Sequence, residues 1–138
     1  MSAFNKVWAF AQAVAEKQHN LSTDTLKIAL SNTAIDPSTA AQLGDVTQIA
    51  AGNGYTAGGA TVAATSGSQT GGVYTLVGDD VQFLAAGGDI GTFRFVVLYN
   101  SANSLLIGYW DYGSSVDITD GNSFTVDLDQ INGILKLT

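Results

Sequence analysis

Apolar residues recur at helical spacing once, near the start of the chain, and at strand spacing almost everywhere after it. In residues 3–18, AFNKVWAFAQAVAEKQ, the positions Phe4, Val7, Trp8, Ala11, Val14 and Ala15 fall at i, i+3, i+4, i+7 steps. That period predicts one amphipathic helix with a single apolar stripe. Ser2 is placed to cap its start. Lys17 and His19 suit the negative end of the helix dipole, and Asn20 is the expected left-handed terminator. Leu26, Ile28 and Leu30 then alternate with Lys27, Ala29 and Ser31, the signature of a half-buried strand. Asp36-Pro37 opens a turn. Ser38–Leu43 reads as one helical turn ended by Gly44, and Asp45–Ile49 is ambiguous.

From residue 51 onward the texture is β. Thr61–Thr65 and Val73–Val77 flank the loop SGSQTGG and read as a hairpin. Val81–Ala85 follows, then the strong strand TFRFVVLYN (92–100) and, after SANS, LLIGYWDY (105–112). Val116–Thr119 and Ser123–Asp129 flank Asp120-Gly121-Asn122, a good hairpin turn. Asn132-Gly133 introduces a last strand, Ile134–Thr138. Short, regularly spaced strands predict an all-β domain, an antiparallel sandwich or barrel with one N-terminal amphipathic α-helix. The expected organisation is a single domain over 1–138, with the helix in 1–20 and the β domain in 21–138.

Composition narrows the function classes. The chain has 138 residues, no cysteine, one histidine and a net charge of −7 from 12 acids and 5 bases. Disulfides, thiolate metal sites and cysteine nucleophiles are excluded. The four lysines and single Arg94 are scattered along the sequence, so phosphate neutralisation of a nucleic acid is disfavoured. No apolar run has the length of a membrane span. The first residues, MSAFNKVWAF, lack the basic and apolar regions of a signal peptide.

Candidate chemistry is sparse. Gly52-Asn53-Gly54-Tyr55-Thr56-Ala57 satisfies the loose dinucleotide pattern, yet Gly58-Gly59 and small β-like residues follow where a phosphate-binding helix is required. A structural turn is the better reading. His19, at the expected helix end, reads as a cap rather than a base or zinc ligand. DITDGN (117–122) and DLDQING (127–133) lack the terminal Glu of a calcium loop. Hairpin turns account for both, with calcium as the alternative. A glycosidase-type carboxylate pair cannot be picked out of eleven aspartates. No cofactor, metal or catalytic residue is therefore assigned. GYWDYG (108–113) puts Trp110 and Tyr112 on one strand face and Tyr109 and Asp111 on the other. Core packing, an interface and a sugar platform are all open for them.

Five collinear stretches carry a family resemblance: HNLSTDTLKIALSNTA (19–34), QIAAGNGYTAGG (48–59), GGDIGTFRFVVLYN (87–100), LIGYWDYGSSV (106–116) and DGNSFTVDLDQINGILKL (120–137). Together they resemble a family of small structural proteins of tailed-bacteriophage virions. The resemblance implies a non-enzymatic virion component made in the host bacterial cytoplasm. A capsid decoration (cement) protein is expected, located on the capsid surface and bound to the major capsid protein. A homotrimer is the expected oligomer, with neither nucleic acid nor membrane as partner. The alternative is a tail or head-fibre module that binds a host receptor or glycan; a sugar-active secreted protein is more remote. On this reading Phe4, Val7, Trp8, Tyr55, Tyr109, Trp110 and Tyr112 are the interface candidates, and the 52–59 loop is expected to touch a neighbouring subunit.

Overall fold

A computed structural model describes residues 4–128 and 131–137. Its strands are β1 (Phe4–Lys6), β2 (Leu26–Ser31), β3 (Ala60–Thr61), β4 (Ser66–Thr70) and β5 (Val73–Val77), then β6 (Val81–Leu84), β7 (Ile90–Asn100), β8 (Leu105–Ile118), β9 (Ser123–Val126) and β10 (Leu135–Leu137). One helix, α1 (Trp8–Ala15), and a 3-10 turn at Leu43–Asp45 complete the described elements. All pairings are antiparallel. The central sheet has the order β1-β8-β7-β2-β3, beside a sheet β10-β5-β4 and a pair β6-β9. The fold is all-β, as the strand spacing predicts.

The sheets share one core. Phe124 of β9 meets Phe93 of β7 and Tyr112 of β8 edge-on, at ring-centroid distances of 5.0 and 5.4 Å. Leu76, Val81, Phe83, Val126 and Leu128 join Leu26, Ile28, Leu98 and Ile107 in the same buried cluster. Residues between Pro37 and Ile49 strap the central sheet: Leu106 N–H of β8 donates to Ala41 O (3.0 Å) and Ile49 N–H donates to Leu30 O of β2 (3.1 Å). Leu43, Val46 and Ile49 pack on the core from this strap. Asp45 fixes its bend by accepting from the Ala41 and Gln42 N–H groups.

Several expectations are corrected. The helix covers 8–15 rather than 3–18, because Phe4–Lys6 pair with Trp110–Gly108 at a sheet edge. Its N-cap is Val7, without a side-chain cap; the proposed Ser2 cap lies outside the described residues. Lys17, not Asn20, takes the left-handed conformation after the helix (φ 65°). Strand β2 is buried on nearly both faces, because it lies inside the sheet and the strap crosses it. Gly44 sits inside the 3-10 turn instead of ending a helical one.

The Ser/Gly-rich stretch is itself a strand. β4 pairs with β5 across Gly71-Gly72, both at positive φ (59° and 84°), as a two-residue hairpin requires. Thr61–Thr65 is therefore not the partner of Val73–Val77. Of the expected Val116–Thr119 strand, Val116–Ile118 belongs to the long β8 and stays on β7, with Ile118 opposite Ile90. Asp120-Gly121-Asn122 still turns the chain, but it hands Ser123–Val126 to β6 instead of folding it back on β8. The expected end residues Asp129 and Thr138 lie outside the described residues.

Candidate interaction surface

Helix α1 reads WAFAQAVA, apolar at every position but Gln12. A helix apolar all round is normally buried all round. Here only Phe10 is fully buried. The single stripe expected from the sequence is two stripes. Val7 and Phe10 point into the domain with Val14 partly buried behind them, whereas Trp8, Ala11 and Ala15 point out. Trp8 is 70% exposed, a large apolar side chain left in water. It borders a groove of about 400 Å³ with Lys6, Val7, Phe10, Ala11, Val14 and Leu137. Val14 and Leu137 also line a more polar groove of about 480 Å³ containing Asn20, Ser22, Asp24, Tyr74 and Asn103.

The remaining candidates divide. Val7 (2% exposed), Tyr55 (2%) and Trp110 (1%) are core residues of the single chain, so no neighbour can reach them without unfolding it. Phe4 lies on Trp110 with ring centroids 4.8 Å apart and closes the core at the sheet edge. Tyr109 and Tyr112 are half-buried, packed on Phe95 and Phe124 respectively. The structure thus separates Trp8 from the GYWDYG cluster and leaves Trp8 as the exposed aromatic anchor. The missed signal was the phase of the helix: beginning the count at Phe4, which is strand, assigns Trp8 and Val7 to one face.

The glycine loop is an internal clasp. Gly52 and Tyr55 exchange backbone hydrogen bonds (2.7 and 3.1 Å), and β3 follows where a phosphate-binding helix would stand. The Tyr55 hydroxyl donates to Gln48 Oε1 (2.7 Å) and accepts from the Leu30 N–H (3.1 Å). Asn53 Nδ2 donates to Asp89 O (3.0 Å), tying the loop to the turn before β7. The expected contact of Tyr55 with a neighbouring subunit is corrected, because its ring faces inward on Phe83.

His19 is not a free cap either. It is 9% exposed and stacks near Phe10. Asn100 Oδ1 accepts from Ala102 N–H, so its Nδ2 faces Asp24 Oδ2 (2.5 Å) and His19 Nδ1 (3.1 Å). Nδ1 is then an acceptor and the proton sits on Nε2, which is buried without a partner among the described residues. Burial holds the imidazole below its usual 6.5, against an opposing pull from Asp24. A lowered base pKa means that the unfolded chain takes up a proton near pH 6.5 that the folded chain refuses. The stability contributed by neutral His19 is therefore present above 6.5 and declines as pH falls toward the folded pKa. Urea midpoints should drop between pH 7.5 and 5.5, and His19→Gln should flatten that drop; an unchanged slope would refute the assignment.

Between β7 and β8, Arg94 Nε donates to Asp111 Oδ1 at 2.7 Å and the guanidinium lies over the Phe95 ring, holding the Asp111 carboxyl below the usual carboxylate range. Among the described residues, no three His, Cys, Asp or Glu side chains converge as metal ligands, and no helix is long and apolar enough to cross a membrane. No family model, curated protein or solved structure matches this chain.

Proposed function

We propose that this chain is a non-enzymatic virion structural protein, a capsid decoration protein that binds the major capsid protein and stabilises the head. The observation that carries an interaction role is the outward face of α1, where Trp8, Ala11 and Ala15 leave apolar surface uncovered. Such a surface lowers its free energy by meeting a neighbour, and aromatic residues of this kind anchor interfaces. The collinear phage resemblance supplies the setting. Decoration would act by mass action: a ligand that binds only the assembled shell stabilises it.

Location and copy number in intact particles test this reading. Quantitative mass spectrometry should find the protein in heads at hundreds of copies, as expected for a shell of many repeated sites. Heads lacking it should rupture at lower temperature. Recovery in tails alone, at a few copies, would sink the proposal. That outcome would favour a fibre module instead, for which the polar groove carrying Tyr74, Asn20, Ser22, Asp24 and Asn103 offers the stacking ring and hydrogen-bonding groups a glycan needs.

A further inference from the structure

Lys6 of β1 and Lys136 of β10 border one opening. Between these strands runs a groove of about 280 Å³, walled by Phe4 and Lys6 on one side and by residues 132–136 on the other. No carboxylate among the described residues lines it. Neither lysine makes an ion pair among the described residues. The neighbouring acids act elsewhere. Asp36 precedes Pro37, whose carbonyl accepts from Trp8 N–H, and its carboxylate is held by the N–H and hydroxyl of Ser38. Its field is felt by Tyr109, whose pKa is raised first by burial, then by Asp111 and Asp36. Tyr109 pairs with Asn5, whereas Trp110 pairs with Phe4. Strand alternation therefore puts Tyr109 on one face of the β1–β8 pair and Phe4 and Lys6 on the other. In a chain of net charge −7, this opening has two cations and no anion in its described walls.

The opening is a seam between two sheet edges. Among the described strands, β1 ends the central sheet and β10 ends the second sheet. An outermost strand offers outward N–H and C=O groups to an incoming chain. Val7 N–H donates to Ile107 O on β8 (3.2 Å). Main-chain groups alternate in direction along an antiparallel strand, so those of Lys6 turn away from β8. Past Lys6 the seam runs on into the Trp8 groove, where Val7, Phe10, Val14 and Leu137 form apolar walls. An extended chain laid along the seam meets main-chain groups at Lys6, apolar walls beside α1 and two ammonium groups at the rim.

We propose that the seam between β1 and β10 binds an extended acidic segment of a partner protein, in which Asp or Glu alternates with large apolar residues. The main chain of the segment adds to the edge of β1. Its carboxylates meet Lys6 and Lys136, and an apolar side chain enters the groove beside Trp8. A helix has already used its main-chain groups internally and has none to give a strand edge. The proposal goes beyond the decoration reading: it defines the partner by its chemistry and requires no particle.

An array of immobilised random octapeptides, probed with the purified full-length chain, tests it. Bound sequences should be enriched in Asp and Glu alternating with apolar residues. The tightest of them, measured in solution, should bind more weakly as salt screens the charges. Lys6→Glu and Lys136→Glu, both at exposed positions, should each weaken it about threefold and together about tenfold, because each reversal replaces an attraction by a repulsion. Lys17→Glu, an equal single change in charge at an exposed position outside the seam, should leave affinity within about twofold. Amide exchange at Lys6 should slow in the complex, the mark of main-chain pairing. Circular dichroism confirms that each variant is folded. An array that captures basic sequences, or none, would overturn the proposal. So would a folded double variant that binds as the wild type does. Equal weakening by Lys17→Glu would overturn it too, by reducing the contact to attraction between net charges.

Discussion

Alanine in place of Gly59 is expected to lower the unfolding free energy by about 3 kcal/mol or more, and Tm by about 10 °C. Two effects add. Gly59 has φ +79°, a conformation that costs a residue with a β-carbon. Its methyl would also lie inside the contact radius of the Ile28 carbonyl, and Ile28 belongs to the interior strand β2, which has no room to shift. Gly52→Ala separates the two effects. Gly52 has φ +128° but nothing within 4 Å of a β-carbon, so only the backbone strain applies, about 1–3 kcal/mol. Gly44→Ala, with free space and ordinary φ, is the neutral control. Urea unfolding of the three variants should rank them Gly59, Gly52, Gly44. Equal effects at Gly59 and Gly52 would show that the close approach to β2 is not a constraint.

Trp110→Ala should cost about 3–5 kcal/mol, the range for removing a buried aromatic from a packed core. Trp110 is 1% exposed and is one of the largest fully buried side chains. Its loss also strips Phe4 of its ring partner at 4.8 Å, so β1 should detach from β8. Hydrogen exchange at Asn5 and Lys6 would report that detachment separately from global stability. Trp110→Phe, which keeps an aromatic ring in the site, should recover much of the loss. Substitution of Trp8 by alanine, by contrast, should leave the isolated chain's stability nearly unchanged. A loss at Trp8 as large as that at Trp110 would contradict their opposite burial.

The all-β class, β2, β7 and the positions of most turns were legible because period-two alternation and Gly or Asn turn chemistry are local signals. What failed was set by distant partners. Phe4–Lys6 fits a helical pattern by its own residues, yet Trp110–Gly108 recruits it as a strand. Ser66–Thr70 has no apolar residue, so alternation cannot reveal it; only pairing with β5 makes it a strand. Val116–Ile118 and Ser123–Val126 flank a genuine hairpin signal, but β7 and β6 claim them separately. For the interaction surface, the residue types were informative and their direction was not. Tyr109, Trp110 and Tyr112 look alike in sequence, and burial alone separates them. The buried His19–Asn100–Asp24 contact joins residues 81 and 76 positions apart, a separation no spacing rule reaches.

The strand order also governs when this chain can fold as it is synthesised. β2 emerges early, carrying Leu26, Ile28 and Leu30, yet the long partner that covers it, β7, begins at Ile90. β1 waits longer still, for β8. The central sheet is thus a high-contact-order structure that closes only when the last third of the polypeptide has left the ribosome. Until then β2 has only the two-residue β3 and the Ile49 N–H to pair with, and most of its apolar length lacks its long partner. A slow or crowded synthesis exposes it to chaperones and to other nascent chains before its own partner exists.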